Sequence, residues 1–171
     1  GPKACEVIER GKKYCATCYV DSDFVPSNIK RARGGRIYDI DDNLFIDFTA
    51  GVGVSNCGYG ASEIENAMWR HLKKTGRLQF ISSDFYNKEP VDLAELLVKE
   101  MENVLGIDVH YKVFFSNSGA EANEAGLKVV FSHRPERKKI IAFRGAFHGR
   151  SGYSLPITWR EHYRKDYPVS Y

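Results

Sequence analysis

Apolar residues recur along the chain with two different periods. Residues 4–15 place Val7, Ile8 and Tyr14 at approximate helical spacing, which predicts a short amphipathic helix weakened by Gly11. Further on, Ile64, Ala67, Met68, His71 and Leu72 line one face of a second helix. Ser62, with Glu65 three residues later, reads as the capping box that starts it. A third helix runs from about Val91 to Leu105 on Leu93, Leu96, Leu97, Met101 and Leu105, and Gly106 ends it. Strict alternation replaces this period in Arg36–Ile40 and Leu44–Phe48, on either side of Asp41, Asp42 and Asn43, and predicts a β-hairpin. Gly51, Gly53, Gly58 and Gly60 follow, a spacing that marks sharp turns or close approach to a ligand.

The second half reads differently. Residues 112–116 (Lys-Val-Phe-Phe-Ser) form a short apolar run, Glu121–Phe131 has a helical apolar face on Ala122, Ala125, Val129 and Val130, and residues 139–143 (Lys-Ile-Ile-Ala-Phe) are a second apolar run. Strand, helix and strand in that order predict a βαβ unit with parallel, buried strands, so the fold class is α/β. Two parallel strands do not make a stable sheet, and the chain is expected to be part of a larger one.

Composition narrows the class. With 43% hydrophobic and 27% charged residues in 171, the chain has the make-up of a globular protein. The formal charge of +3 is too small to imply nucleic acid. It is unevenly placed: residues 1–130 carry 16 basic and 19 acidic side chains (−3), and residues 131–171 carry 9 and 3 (+6). Those basic residues are interleaved with apolar and aromatic ones, as in a folded domain whose acidic complement lies elsewhere. No long apolar run or secretory layout occurs, so neither a membrane span nor export is expected. Cys5, Cys15, Cys18 and Cys57 contain one close pair, Cys15 and Cys18, whereas a four-thiolate zinc site needs two; reduced thiols and no metal are expected.

Two loops carry the candidate chemistry. Asn117, Ser118, Gly119 and Ala120 sit where a strand hands over to a helix, where amide groups and the helix dipole favour a phosphate. The same residues also read as a plain capping box, Ser118 with Glu121, and spacing alone leaves both readings open. Gly145-Ala-Phe147-His148-Gly-Arg150 follows the next strand and would open on the same sheet edge, offering an aromatic ring to a flat ligand. His148 there could serve as a base or simply be packed. Arg144 and Arg150 read as solvated loop charges. Together the loops suggest a flat, phosphorylated cofactor.

These residues carry a resemblance. The run from Asn117 to Lys128 resembles the phosphate-cup motif of class III (subgroup II) pyridoxal-phosphate-dependent aminotransferases, and Phe147 to Arg150 resembles their ring-stacking motif. Ile37 to Val54 is similar to the family's N-terminal hairpin and substrate-facing loop, the opening Gly-Pro-Lys-Ala resembles archaeal-type 4-aminobutyrate aminotransferases, and the chain as a whole resembles the archaeal-type 4-aminobutyrate/acetylornithine members. The resemblance implies the N-terminal part of a fold-type I enzyme, with residues 1–57 in the small domain and 58–171 in an incomplete large domain. It implies pyridoxal 5'-phosphate held by Ser118, Gly119 and Ala120, with Phe147 and His148 at its ring and Val52 facing the substrate. The implied reaction moves an amino group from a 4-aminobutyrate-like or acetylornithine-like donor to a 2-oxo acid; racemases and aminomutases of the family share these motifs. The Schiff-base lysine and the acid paired with the pyridine nitrogen are expected beyond Tyr171, leaving no catalytic residue in this chain. Lys128 reads as a surface charge. The implied partners are the C-terminal remainder and a second subunit, in the cytoplasm, with neither nucleic acid nor membrane. Where the family has a His-x-His-Pro-like stretch, this chain has Tyr59-Gly-Ala-Ser62, so the contact made by the missing histidine is in question. An inactive relative serving as an interaction module is the competing reading, and a nucleotide-binding protein a third, disfavoured by the absence of a P-loop.

Overall fold

The computed structural model describes residues 1–16, 29–76, 85–106 and 110–167. The chain divides into two compact units, Gly1–Phe80 and Ile81–Tyr171.

In the first unit, α1 (Pro2–Tyr14) precedes a three-stranded antiparallel sheet of β1 (Ile29–Arg33), β2 (Arg36–Asp39) and β3 (Leu44–Ile46), in that order. The expected hairpin is β2–β3, with Ile37 opposite Phe45 and Tyr38 opposite Leu44. β1 is an addition, paired with β2 through Ala32 opposite Ile37. Its burial is slight and its sequence, Ile-Lys-Arg-Ala-Arg, lacks a clear alternation, which is why the pattern did not disclose it.

Asp39 builds the β2–β3 turn. Its carboxylate accepts from the Asp41 amide (3.0 Å), the Asn43 amide (2.8 Å) and the Asn43 side chain (2.9 Å), so a buried acid is fully satisfied by its own turn. The Asn43 side chain leads in holding Asp39 below the usual carboxylate range against the opposing effect of burial. Asp41, in the same turn, accepts from the amides of Lys3 (3.1 Å) and Ala4 (2.8 Å) and so caps α1 from a distant part of the chain.

The stretch after β3 turns left-handed. Ala50, Gly51, Val52 and Gly53 all have positive φ, at 46°, 60°, 61° and 85°, within the short element α2 (Ala50–Gly53). A β-branched residue in that region is strained by about 1–3 kcal/mol. Asp47 holds the turn in place by accepting from the Thr49 amide and hydroxyl (both 2.7 Å), the Ala50 amide (3.1 Å) and the Tyr59 hydroxyl (2.9 Å). Tyr59 also pairs its backbone with Gly34, returning the segment to the β1–β2 turn.

The next helix, α3 (Ser62–Thr75), corrects the expected cap. Ser62 is inside the helix, Ala61 occupies the cap position, and no side chain accepts there. The Glu65 amide instead bonds the Ala61 carbonyl (3.0 Å), as in ordinary helical pairing. The helix rests on its periodicity and its first-turn acids, Glu63 and Glu65, rather than on a capping box.

In the second unit, α4 (Lys88–Leu105) starts three residues earlier than expected and ends at Gly106 with φ of 63°. It is followed by α5 (Gly119–His133), α6 (Ser154–Ile157) and a 3₁₀ turn at Glu161–Tyr163. The two expected strands are not formed. Residues 112–116 and 139–143 are irregular, and no parallel pair occurs among the described residues. Side chains that a buried parallel sheet would cover stand open: Phe114 is 75% exposed, Ile141 89% and Phe143 78%. Two short strands cannot cover each other's faces, and their peptide groups are better served by water until further strands flank them.

The exposed apolar surface is large throughout. The helical faces read from sequence are therefore present as patterns but uncovered, with Met68, Trp69, Leu96 and Met101 about half exposed. Among the described residues no helix is long and apolar enough to cross a membrane.

Candidate functional site

The second unit brings together five of the six expected site residues. α5 begins at Gly119, capped by Ser118 in an extended conformation whose Oγ accepts from the Glu121 amide (3.2 Å). Glu121 reaches back to the Asn117 amide (2.8 Å), one residue before the position a standard capping box uses. This settles the capping reading without removing the other. The amides of Gly119 and Ala120 have no acceptor among the described residues, and the Ser118 hydroxyl, used here as an acceptor, keeps its proton to donate. Three donors at the positive end of a fifteen-residue helix suit a phosphate ester.

The loop with Phe147 and His148 lies directly against that helix start. A Cβ at Gly149 would sit 2.6 Å from Ala120 Cβ and 3.1 Å from Ser154 Cβ, and Gly149 has φ of 130°, so only glycine permits the approach. The His148 backbone is pinned on both sides: its carbonyl accepts from the Asn123 side chain (2.7 Å) and its amide donates to Thr158 Oγ1 (3.0 Å). The Thr158 hydroxyl donates to the Gly149 carbonyl (2.8 Å). The Trp159 amide bonds the Ala146 carbonyl (2.9 Å) and closes the loop from its other end.

Phe147 remains 57% exposed, in edge-to-face contact with Tyr163 at 5.8 Å between centroids. The Arg150 guanidinium lies 5.9 Å from the Phe147 ring centre and 4.9 Å from that of Tyr163. No carboxylate pairs with Arg150 among the described residues, so it is an aromatic-stacked cation rather than the merely solvated charge expected from sequence. Lys128 is exposed, in keeping with a surface charge.

Sequence reasoning missed the residues joining the two loops. Glu124 accepts from the Ser154 hydroxyl (2.7 Å), the Ser154 amide (2.8 Å) and the Tyr153 amide (3.2 Å). Burial would raise this carboxyl, but the three donors together hold it below its ordinary value, so it is ionised at neutral pH. Ser154 and Thr158 are buried, with 0% and 1% of their surface exposed. The only signal in the sequence was an acid in the second turn of a helix, which reads equally well as a charge placed for the dipole.

Val52, the sixth residue, stands in the first unit at the crest of the left-handed turn and is 93% exposed. The cysteine pair falls partly outside the described residues, because Cys18 is not among them; Cys5, Cys15 and Cys57 are exposed free thiols. Among the described residues no group of three or more histidine, cysteine or acidic side chains gathers that could hold a metal ion.

The chain is similar to known proteins in sequence and in fold. Residues 18–170 match the family model described as Aminotransferase class-III. The mitochondrial acetylornithine aminotransferase of Candida glabrata is 34% identical over 169 residues, covering 95% of this chain and 38% of that protein. The acetylornithine aminotransferase of Archaeoglobus fulgidus is 35% identical over 161 residues, covering 94% and 39%. The chain thus spans about two fifths of the length of the curated relatives it matches. In fold, it superposes on the omega transaminase from Pseudomonas jessenii in complex with PMP with a TM-score of 0.78 at 23% identity, over 95% of this chain and 37% of that one. The antiparallel sheet and the α5 region therefore correspond to the first two fifths of a transaminase fold, and the chain belongs to the class-III aminotransferase family.

Proposed function

We propose that this chain supplies the cofactor-holding part of a pyridoxal 5'-phosphate-dependent enzyme that moves an amino group from an amino acid or ω-amino donor to a 2-oxo acid. The observation that carries the reading is the pair of unpartnered amides at Gly119 and Ala120, held within the same side-chain framework as the exposed ring of Phe147. The donor set fits the group: a phosphate needs hydrogen-bond donors at a positive helix end, and a flat ring needs an open aromatic face. When bound, pyridoxal phosphate supplies an electron sink for the charge left when the substrate loses its Cα proton.

The protein's own residues bind and orient. Ser118, Gly119 and Ala120 donate to the phosphate, Phe147 covers the ring and excludes water from one side, and His148 lines the same loop. Arg150, fixed against Phe147 and Tyr163 without an acidic partner, leaves a cation available to an anionic group of the ligand. The similarity to acetylornithine aminotransferases supports an acetylornithine-like donor before a 4-aminobutyrate-like one. The lysine that holds the cofactor aldehyde is supplied by the remainder of the enzyme, which together with a second subunit covers the apolar faces.

The test compares pyridoxal phosphate with pyridoxal by absorbance titration. Two or three charge-assisted hydrogen bonds predict that the phosphorylated form binds about a hundredfold tighter. Equal, weak binding of the two would sink the assignment. One observation favours a second reading: the uncovered apolar helix faces of Met68, Trp69, Leu96 and Met101 suit an interaction module that no longer catalyses. That reading requires a stable self-association of the chain without cofactor, and a monomer by sedimentation would exclude it.

A further inference from the structure

We infer that Glu124, assisted by Asn123, is a positioning residue that sets the Phe147–His148 loop against the phosphate-binding start of α5. The inference rests on the cofactor reading above and deepens it. Asn123 and Glu124 are consecutive on α5, one turn after Ala120, and both reach across to the segment 148–154. Asn123 grips the carbonyl of His148 itself. Glu124 grips Ser154 by hydroxyl and amide, and Tyr153 by amide. Ser154 Oγ is also 3.3 Å from the Ala120 carbonyl, so one side chain touches both the acid and the helix start.

The arrangement has little slack. Gly149 already presses on Ala120, and a Cβ at Gly152 would come within 2.9 Å of the Glu124 carboxylate. Both glycines also have positive φ, 130° and 36°, so neither point readily accepts a side chain. Thr158 then ties the same His148 and Gly149 backbone from the far side. Four residues outside the ligand-facing set thus fix the relation between the donors for a phosphate and the aromatic face for a ring. A ligand that uses only the phosphate donors does not depend on that relation. A ligand that uses both does.

This difference supplies the test. Wild type, Glu124→Gln and Asn123→Ala are titrated with pyridoxal phosphate and, separately, with inorganic phosphate, which engages the α5 donors alone. Amide exchange at Tyr153 and Ser154 is measured without ligand. The glutamine keeps one acceptor oxygen but turns an NH₂ toward groups that are themselves donors. The expected result is faster exchange at both amides and about a tenfold loss of pyridoxal phosphate affinity, with phosphate affinity unchanged. Asn123→Ala should give the same pattern at about threefold, since it removes one bond and leaves the helix intact. Parallel loss of both affinities in both variants would mean that the residues only hold α5 together, and would overturn the inference. Faster exchange with an unchanged affinity ratio would overturn it as well. Failure of the wild type to bind pyridoxal phosphate, with protected amides at Tyr153 and Ser154, would instead remove the cofactor reading and leave the clamp as a purely structural device.

Discussion

The two units of this chain solve the same problem, pairing backbone and covering side chains, by opposite means. In the first, three strands lie within eighteen residues, Ile29 to Ile46, and antiparallel pairing closes through short turns. In the second, two apolar segments flank a helix, and neither becomes a strand; α5 and its loop are joined by side chains gripping backbone. Antiparallel pairs can be completed from neighbouring residues, whereas parallel ones need chain that arrives from far away. With no parallel pairing among the described residues, the start of α5 and the loop after it are held together by side chains instead. Here Glu124, Asn123, Ser154 and Thr158 do this.

The contrast can be broken from either side. Gly149→Val should have the largest effect, about 3 kcal/mol or more, because it adds a side chain at φ of 130° into the Ala120 contact. Urea unfolding should show the loss in the second unit, with amide exchange in β1–β3 unchanged. Ile37→Ala, emptying one of the few buried apolar positions, should cost about 2 kcal/mol. Exchange should then quicken in β2 while Ser154 remains protected; loosening of both units together would contradict independent construction.

Acid should give the smallest separation. Asp39, Asp41, Asp42 and Asp47 in the first unit, and Glu124 in the second, all have carboxyls held below their ordinary values. The stability they contribute is complete above the ordinary carboxylate range and is lost as pH falls through the lowered folded values, below about 4. With four such groups against one among the described residues, the hairpin unit should open first on acidification, as followed by circular dichroism and residue-level exchange. Earlier opening of the α5–α6 contact would reverse the comparison.

How much of this was legible follows the same division. Helices α1, α3, α4 and α5 and the β2–β3 hairpin were readable because each depends on residues within a turn or two. The Ser118 cap was readable for that reason too. Ser62 misled because the same Ser-x-x-Glu spelling fits a residue already inside the helix. Residues 112–116 and 139–143 were read as strands from their apolar character, but a strand is defined by its neighbours, and composition does not supply neighbours. Of the candidate site, the loop residues Ser118 to Ala120 and Phe147 to His148 were readable because each loop is a local motif. The Glu124–Ser154 clamp joins residues thirty apart and leaves no period in the sequence.

The Gly34–Tyr59 bridge and the α5–α6 clamp also have a consequence in time. A hairpin such as β2–β3 closes in about 1–10 μs. The bridge and the clamp close loops of 25 to 30 residues, and each must meet its closure entropy before any bond repays it. The folding order is therefore hairpin first and clamp late, so a nascent chain acquires its hairpin before the α5 start and the loop of Phe147 are set against each other. Until the clamp closes, the start of α5 stands without the Phe147 ring beside it.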